Sequence, residues 1–250
     1  MANPFEIAFD GLCALRDLPN TSETQMLKNF LLMCAQNSQR SHSQLFQDLF
    51  ALYFLNGKQK GFFVEFGATN GVTLSNTYVL ETHFGWSGIL AEPAKNWRKD
   101  LAKNRKAKID NRCVWNKTGE TLEFLETPYG ELSTIAEFKD KDGNRVGRQE
   151  GERYGVETVT LNDLLKTHNA PREIDYMSVD TEGSELTILE AFDFSKHTIK
   201  IMTVEHNYTS DRDKIRKLLD ANGFQNVFEA VSKYDDWFVH RSLLRSLGGR

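Results

Sequence analysis

The sequence predicts a doubly wound α/β fold on a mostly parallel sheet. Three observations carry that expectation. Short, nearly continuous, β-prone apolar runs recur at GFFVEFG (61–67), SGILAEP (87–93), IDYMSVD (174–180) and IKIMTVEHN (199–207), as strands buried on both faces require. Segments of helical period separate them, so strand and helix alternate. Finally, 250 residues suit one large α/β domain at roughly 150 residues per domain, with room for an extension.

The elements follow in order. SETQMLKNFLLMCAQ (22–36) places Met26, Leu27, Phe30, Leu31 and Met33 at helical spacing behind Ser22, an N-cap residue type. SQLFQDLFALYFL (43–55) is a second helix, stopped by Asn56-Gly57. After the first strand a helix is expected from Leu74 to Phe84, and after the second strand one from Asn96 to Asn104. RCVW (112–115) reads as the third strand. From 119 to 155 the pattern changes to the short strands TLEFLE and ELSTIAEF and then a Gly-rich, charged segment, an insertion or surface loop. Its part from 139 to 154 is placed to act as a lid. Parallel order is expected to resume with VETVTLNDLLKTH (156–168), and helices follow at 184–192 and 211–223. FQNVFEAV and DDWFVH should close the fold as an antiparallel hairpin. The organisation is therefore a helical extension over 1–42, a domain over 43–240 and a polar tail over 241–250.

Composition narrows the function. With 40% apolar and 26% charged residues and a net charge of -4, the chain is an ordinary folded protein without the basic excess of a nucleic-acid binder. Cys13, Cys34 and Cys113 make neither a disulfide framework nor a Cys-x-x-Cys pair. No basic leader precedes an apolar run and no apolar stretch is long enough to span a bilayer, so a cytoplasmic location without membrane insertion is expected.

Ligands of open α/β sheets bind outside the carboxyl ends of the strands. Those ends read Glu65-Phe66-Gly67-Ala68-Thr69-Asn70-Gly71, Glu92-Pro93, Asp180-Thr181-Glu182-Gly183 and Glu205-His206-Asn207, with the third strand ending near Cys113. A glycine turn with an acid about 20 residues further on is a dinucleotide signal, the acid holding ribose hydroxyls. Here the glycines run GxxxG, and Glu65 would set a carboxylate beside a pyrophosphate. A ligand with a cationic head and no phosphate suits that turn better. S-adenosylmethionine, with its sulfonium and ammonium, is therefore favoured over NAD. Read alone, Gly67 and Gly71 are a strand-to-helix turn and Glu92 a solvated acid; in sequence on successive strand ends they read as a site.

The stretches SQLFQDLFALYFLNGKQKGFFVEFGATNGVTLSNTYVLE, GWSGILAEP, VETVTLNDLL, IDYMSVDTEGSELTILEAF and TVEHNY, in that order, resemble the FkbM-type methyltransferases over about residues 43–240. The resemblance implies a Rossmann-like class I methyltransferase fold, S-adenosyl-L-methionine as donor and, usually, O-methylation of a sugar or other hydroxylated metabolite. Phe46 stands where members often have glycine. Residues 1–40 and 139–154 fall outside the resemblance.

On this reading the backbone from Gly67 through Ala68 to Gly71 takes the methionine moiety, because an absent side chain allows close approach. Glu65, Ser75 and Asn76 are candidates for its ammonium and carboxylate, and Glu92 for both ribose hydroxyls. Cys113 and Val114 would flank adenine, the thiol itself being packing. An alcohol acceptor needs a base within reach or a metal to lower its pKa. Asp180, Glu182, Glu205 and His206 are the candidates for the base, His206 having a hydrogen-bonded structural histidine as its alternative. Asp180 with Glu182 is also a candidate oxygen-ligand site for a divalent metal. Lys95, Arg98, Lys99, Lys103, Arg105, Lys106 and Lys108 form a basic run read as a solvated helix face. The partner expected is a hydroxylated carbohydrate or small molecule, without nucleic acid, with a homo-oligomer open. The competing readings are a nucleic-acid methyltransferase, for which no Asn-Pro-Pro-Tyr or Pro-Cys motif is present, and a ligand-binding module without turnover.

Overall fold

Side-chain caps start both helices of the N-terminal unit, residues 1–41. Asn3 accepts from the Phe5 amide at the head of α1 (Pro4–Arg16), and Thr21 with Thr24 forms a capping box on α2 (Ser22–Asn37). Thr21 thus takes the cap expected of Ser22, and α1 forms where no helix is expected from periodicity. The computed structural model describes residues 3–128, 130–139, 141, 146–148 and 150–248. Of the segment read as a lid, residues 140, 142–145 and 149 lie outside the described residues, as do 249 and 250 of the expected tail.

The second unit, residues 42–250, contains in chain order α3 (Gln47–Phe54), β1 (Phe62–Phe66), α4 (Tyr78–Phe84), β2 (Ser87–Ala91), α5 (Arg98–Asn104) and β3 (Lys108–Asp110). Then come β4 (Cys113–Trp115), β5 (Thr121–Glu126), β6 (Thr134–Ile135), β7 (Glu152–Thr160), α6 (Leu161–Thr167), β8 (Glu173–Val179) and α7 (Glu185–Glu190). The chain ends with β9 (Thr198–Glu205), α8 (Arg212–Ala221), β10 (Phe224–Val227), α9 (Glu229–Ser232), β11 (Asp235–His240) and α10 (Arg241–Gly248). Asn56 and Gly57, both at positive φ, end α3 as their residue types demand. Phe46, ahead of α3, has φ 65. That left-handed conformation suits the glycine often found there in the family it resembles. The segment expected as a polar tail carries α10.

Seven strands form a sheet in the order β10-β11-β9-β8-β1-β2-β3, parallel except for β11, which runs antiparallel to β9 and β10. This is the Rossmann-like class I methyltransferase arrangement, doubly wound and closed by the expected antiparallel hairpin. Both sheet faces are covered. Val64, Phe66, Met177, Val179, Met202 and Val204 enter one core with Leu164, Leu189 and Leu219, while the intervening Phe63, Tyr176 and Ile201 are as fully buried on the other side. Burying each such side chain contributes about 1.5–3 kcal/mol before chain entropy is subtracted.

The third strand is a correction. It lies at Lys108–Asp110, paired with β2 through Leu90 and Ile109, not at 112–115. An edge strand with one apolar residue leaves no pattern to read. RCVW instead supplies β4 of a separate four-stranded sheet, β4-β7-β5-β6. There β7 runs parallel to β4 and antiparallel to β5, so residues 156–160 do not resume the parallel sheet. The helix expected from Leu74 begins only at Tyr78, because residues 67–77 are tied into a loop by Glu65. Parallel pairing sets the carboxyl ends of β1, β2, β8 and β9 along one edge, where their loops wall a cavity.

Candidate active site at the strand ends

The loop after β1 is folded by a buried carboxylate. Glu65 accepts from the Asn76 amide at 2.7 Å and from the hydroxyls of Ser75 and Thr77. Arg105 lies behind it, its side chain wholly buried. Its guanidinium is 3.7 Å from Glu65 and 2.9 Å from Glu81, and it donates to the Gly71 carbonyl, Ser75 and Thr77. Burial pushes the Glu65 carboxyl up, and Arg105 with the three donors pulls it back. Glu65 and Asn76 line the cavity, whereas Ser75, Ala68 and Gly71 do not. Glu65 thus shapes the loop through the same oxygens that the sequence reading offers, with Ser75 and Asn76, to a donor's ammonium and carboxylate. Arg105, read as part of a solvated face, is the loop's central tie.

Gly67 is where backbone approaches backbone. It has φ +70, and a Cβ there would stand 2.2 Å from the Asp180 carbonyl oxygen. Gly71 packs against Arg105 and Leu101 in the same close way. Beyond β2, Glu92 accepts from the amides of Thr69 and Ala94, each at 2.8 Å. Burial, only partly offset by those bonds and reinforced by Glu126 and Glu65, raises its carboxyl to about 7. A carboxylate has about four lone-pair sites, so two remain for a ligand.

Cys113 and Val114 line the cavity from the start of β4, not from the end of the third strand, beside Phe124 and Ile135 of β5 and β6. They give it an apolar wall. Burial and the Glu92 charge push the Cys113 thiol up to about 12, so it stays protonated and packs.

At the far end Asp180, Glu182 and Glu205 offer one carboxylate oxygen each, all within 4.8 Å of one another. Glu185 fixes this turn by accepting from the Thr181 amide and hydroxyl and the Gly183 amide. Arg148 of the insertion meets Glu182 at 2.6 Å, and the Thr134 hydroxyl donates to the Glu182 carbonyl. Burial, then the charge of Asp235, raises Asp180 to about 8; burial and Asp180 hold Glu205 well above the usual carboxylate range.

His206 is not brought to the cavity. It accepts from the Tyr208 amide through Nδ1 at 3.0 Å, and its Nε2 lies 3.8 Å from Asp236, which Arg212 and Arg216 hold. Burial lowers its pKa against the pull of Asp236. The geometry therefore favours the structural role for this histidine over that of a base.

The cavity encloses about 310 Å³, at the small end of ligand sites. Sequence reasoning did not place Gln44, Gln47, Leu74, Leu132 and Tyr234 on its wall. Gln47 alone left a signal, a polar residue within the apolar run of α3; buried, it donates to Asp235 at 2.8 Å. Among the described residues Glu65, Glu92, Glu131, Asp180, Glu182 and Glu205 line the cavity, and no lysine, arginine or histidine does. In their ionised forms these acids favour a cation over a phosphate.

Solved structures of similar fold include a precorrin-6y C5,15-methyltransferase from Geobacter metallireducens GS-15, at 10% identity over 77% of this chain and 85% of that one with a TM-score of 0.41. Another is the CurJ carbon methyltransferase, at 8% identity over 96% of this chain and 71% of that one with a TM-score of 0.38. No curated protein matches the sequence significantly. The model of the methyltransferase FkbM domain matches residues 65–226, a span that takes in the Gly67 turn, Glu92 and the acids at the ends of β8 and β9. The chain thus belongs to the FkbM family of methyltransferases, whose methyl donor is S-adenosyl-L-methionine.

Proposed function

We propose that this methyltransferase acts on a hydroxyl of a sugar, glycan or glycosylated metabolite. The observation that carries the reading is that every charged residue described on the cavity wall is an acid, which suits a cationic donor at one end and a polyol at the other. Hydroxyls donate well to carboxylates, whereas the phosphates of a nucleic acid find no cation among the described residues of that wall.

The residues present fit S-adenosylmethionine. Gly67 lines the cavity with bare backbone, which suits close approach of the methionine part. Glu92 keeps acceptor sites for ribose hydroxyls, and Cys113, Val114, Phe124 and Ile135 give a flat ring an apolar wall. When bound, the cofactor supplies a methyl group already activated on a positive sulfur. The protein's share is then to orient the acceptor hydroxyl and receive its proton. Asp180 and Glu205 stand on the cavity wall for that purpose, and orientation alone supplies part of the rate.

The test is incubation with methyl-labelled donor and separate pools of sugar nucleotides, lipid-linked glycans, free glycosylated metabolites, RNA and protein. Label is expected in a glycan or metabolite, resistant to mild base as a methyl ether is. Label confined to RNA or protein would overturn the acceptor assignment. Donor binding with no transfer to any pool would favour the ligand-binding module instead.

A further inference from the structure

We infer that Asp180, Glu182 and Glu205 together bind one hard divalent cation, of the magnesium or manganese class. The two outer ligands are placed by the sheet. Val179 and Val204 pair in parallel, so the residues that follow them, Asp180 and Glu205, leave adjacent strands side by side. Glu182 has φ 59, a left-handed turn at a non-glycine residue that the surrounding bonds of Glu185 and Thr134 hold in place. That turn brings the third carboxylate to the same point, within 4.8 Å of the others.

Three carboxylates at that separation repel strongly unless a proton or positive charge lies among them. Arg148 answers one of them, at Glu182. No lysine, arginine or histidine among the described residues lines the cavity to answer the other two. One guanidinium and one divalent ion would balance the three. A second observation points the same way. Glu205 lines the cavity and is 9% exposed, and its Oε2 is buried with no hydrogen-bond partner, the side chain's contact being with the Asp180 carboxyl of the same cluster. Buried carboxylate oxygens are ordinarily satisfied, and one left open asks for a ligand. The opposite end of the sheet gives the contrast. Asp175, near the start of β8, is also buried, and this fold supplies it with Lys58 and Lys200 at 2.7 and 2.9 Å and with the Phe62 amide. An all-oxygen donor set with flexible geometry is what hard divalent ions take.

What the ion would do rests on the methyl-transfer reading: beside the acceptor it lowers the pKa of the hydroxyl to be methylated. The site itself does not rest on that reading. The experiment is titration of the full chain with Mn²⁺, followed by electron paramagnetic resonance and calorimetry, with Mg²⁺ as competitor. One Mn²⁺ per chain is expected, displaced by Mg²⁺. Asp180→Asn and Glu205→Gln should each weaken it by more than the roughly 10–100-fold that loss of an outer-shell partner costs. Without metal, Glu205→Gln should melt no lower than wild type, since it relieves repulsion, and should lose the rise in Tm that Mn²⁺ gives wild type. Absence of bound Mn²⁺ at millimolar concentration, or unchanged affinity in both variants, overturns the site. Bound Mn²⁺ in a protein that transfers no methyl would leave the site standing and remove the function given to it.

Discussion

Gly67→Ala is expected to be the most damaging single-methyl change in the domain. The added carbon would lie 2.2 Å from the Asp180 carbonyl oxygen, a backbone atom, at φ +70. Neither side can yield without parting β1 from β8, which are paired from Phe63 to Glu65. The left-handed conformation costs a non-glycine residue about 1–2 kcal/mol, and overpacking adds about 1–3 kcal/mol. Chains of this length lose about 2–4 °C of Tm per kcal/mol, so a fall on the order of 10 °C is expected, with loss of donor binding. Gly57→Ala is the control. Gly57 has φ +65, but a Cβ there meets nothing within 4 Å, so only the conformational cost applies. If the two variants melted together, the close approach of the two strand ends would not be what Gly67 provides.

The second large effect is expected at Arg105→Met. The side chain is wholly buried and touches Glu65, Glu81, the Gly71 carbonyl, Ser75 and Thr77. Removing it leaves Glu65, 2% exposed, as an uncompensated buried carboxylate, and breaking such a pair costs about 3–5 kcal/mol. Urea unfolding should show that loss at unchanged m. Arg105→Lys keeps the charge but not the fork that reaches all of these groups, so it should fall between the two. Adding Glu65→Gln to Arg105→Met should return part of the loss, a coupling on the order of 1 kcal/mol or more. Strict additivity of the two changes would remove Arg105 as the tie that holds the loop.

These two residues show what the sequence could and could not disclose. Gly67 was legible, since a glycine that ends a buried strand, with an acid closing the next one, marks a turn at the ligand edge of a parallel sheet. Glu92, Asp180, Glu182 and Glu205 were legible for a related reason, as acids at the carboxyl ends of runs that had to be parallel strands. Arg105 was not. It sits within a basic run, and only the path of residues 67–77 over it turns a solvated face into a buried hub. His206 shows the limit of residue type: it suits proton transfer, but its ring accepts from the Tyr208 amide, two residues on, and lies 3.8 Å from Asp236 of β11, off the cavity wall. The second sheet was missed because β4 and β7 pair across more than forty residues, and β7 is long and alternating enough to read as any strand. The end of α3, by contrast, followed local chemistry at Asn56-Gly57, and α2 starts within one residue of the expected cap, at Thr21.

The central claim is that the strand-end cavity holds the methyl donor, with Glu92 on its ribose. Calorimetric titration of wild type and Glu92→Ala with S-adenosylmethionine, S-adenosylhomocysteine and NAD tests it most directly. Burial sets the Glu92 carboxyl at about 7, and its ionised form, present above that pH, is the better partner for ribose hydroxyls and for a cation. Donor affinity should therefore rise as pH goes from about 6 to about 7.5, by roughly eightfold if the ionised form alone binds. Wild type should take both sulfur ligands and not NAD, and Glu92→Ala should keep its fold, bind them more weakly and lose the pH dependence. Preferential binding of NAD, or an unchanged dissociation constant in Glu92→Ala, would contradict the account.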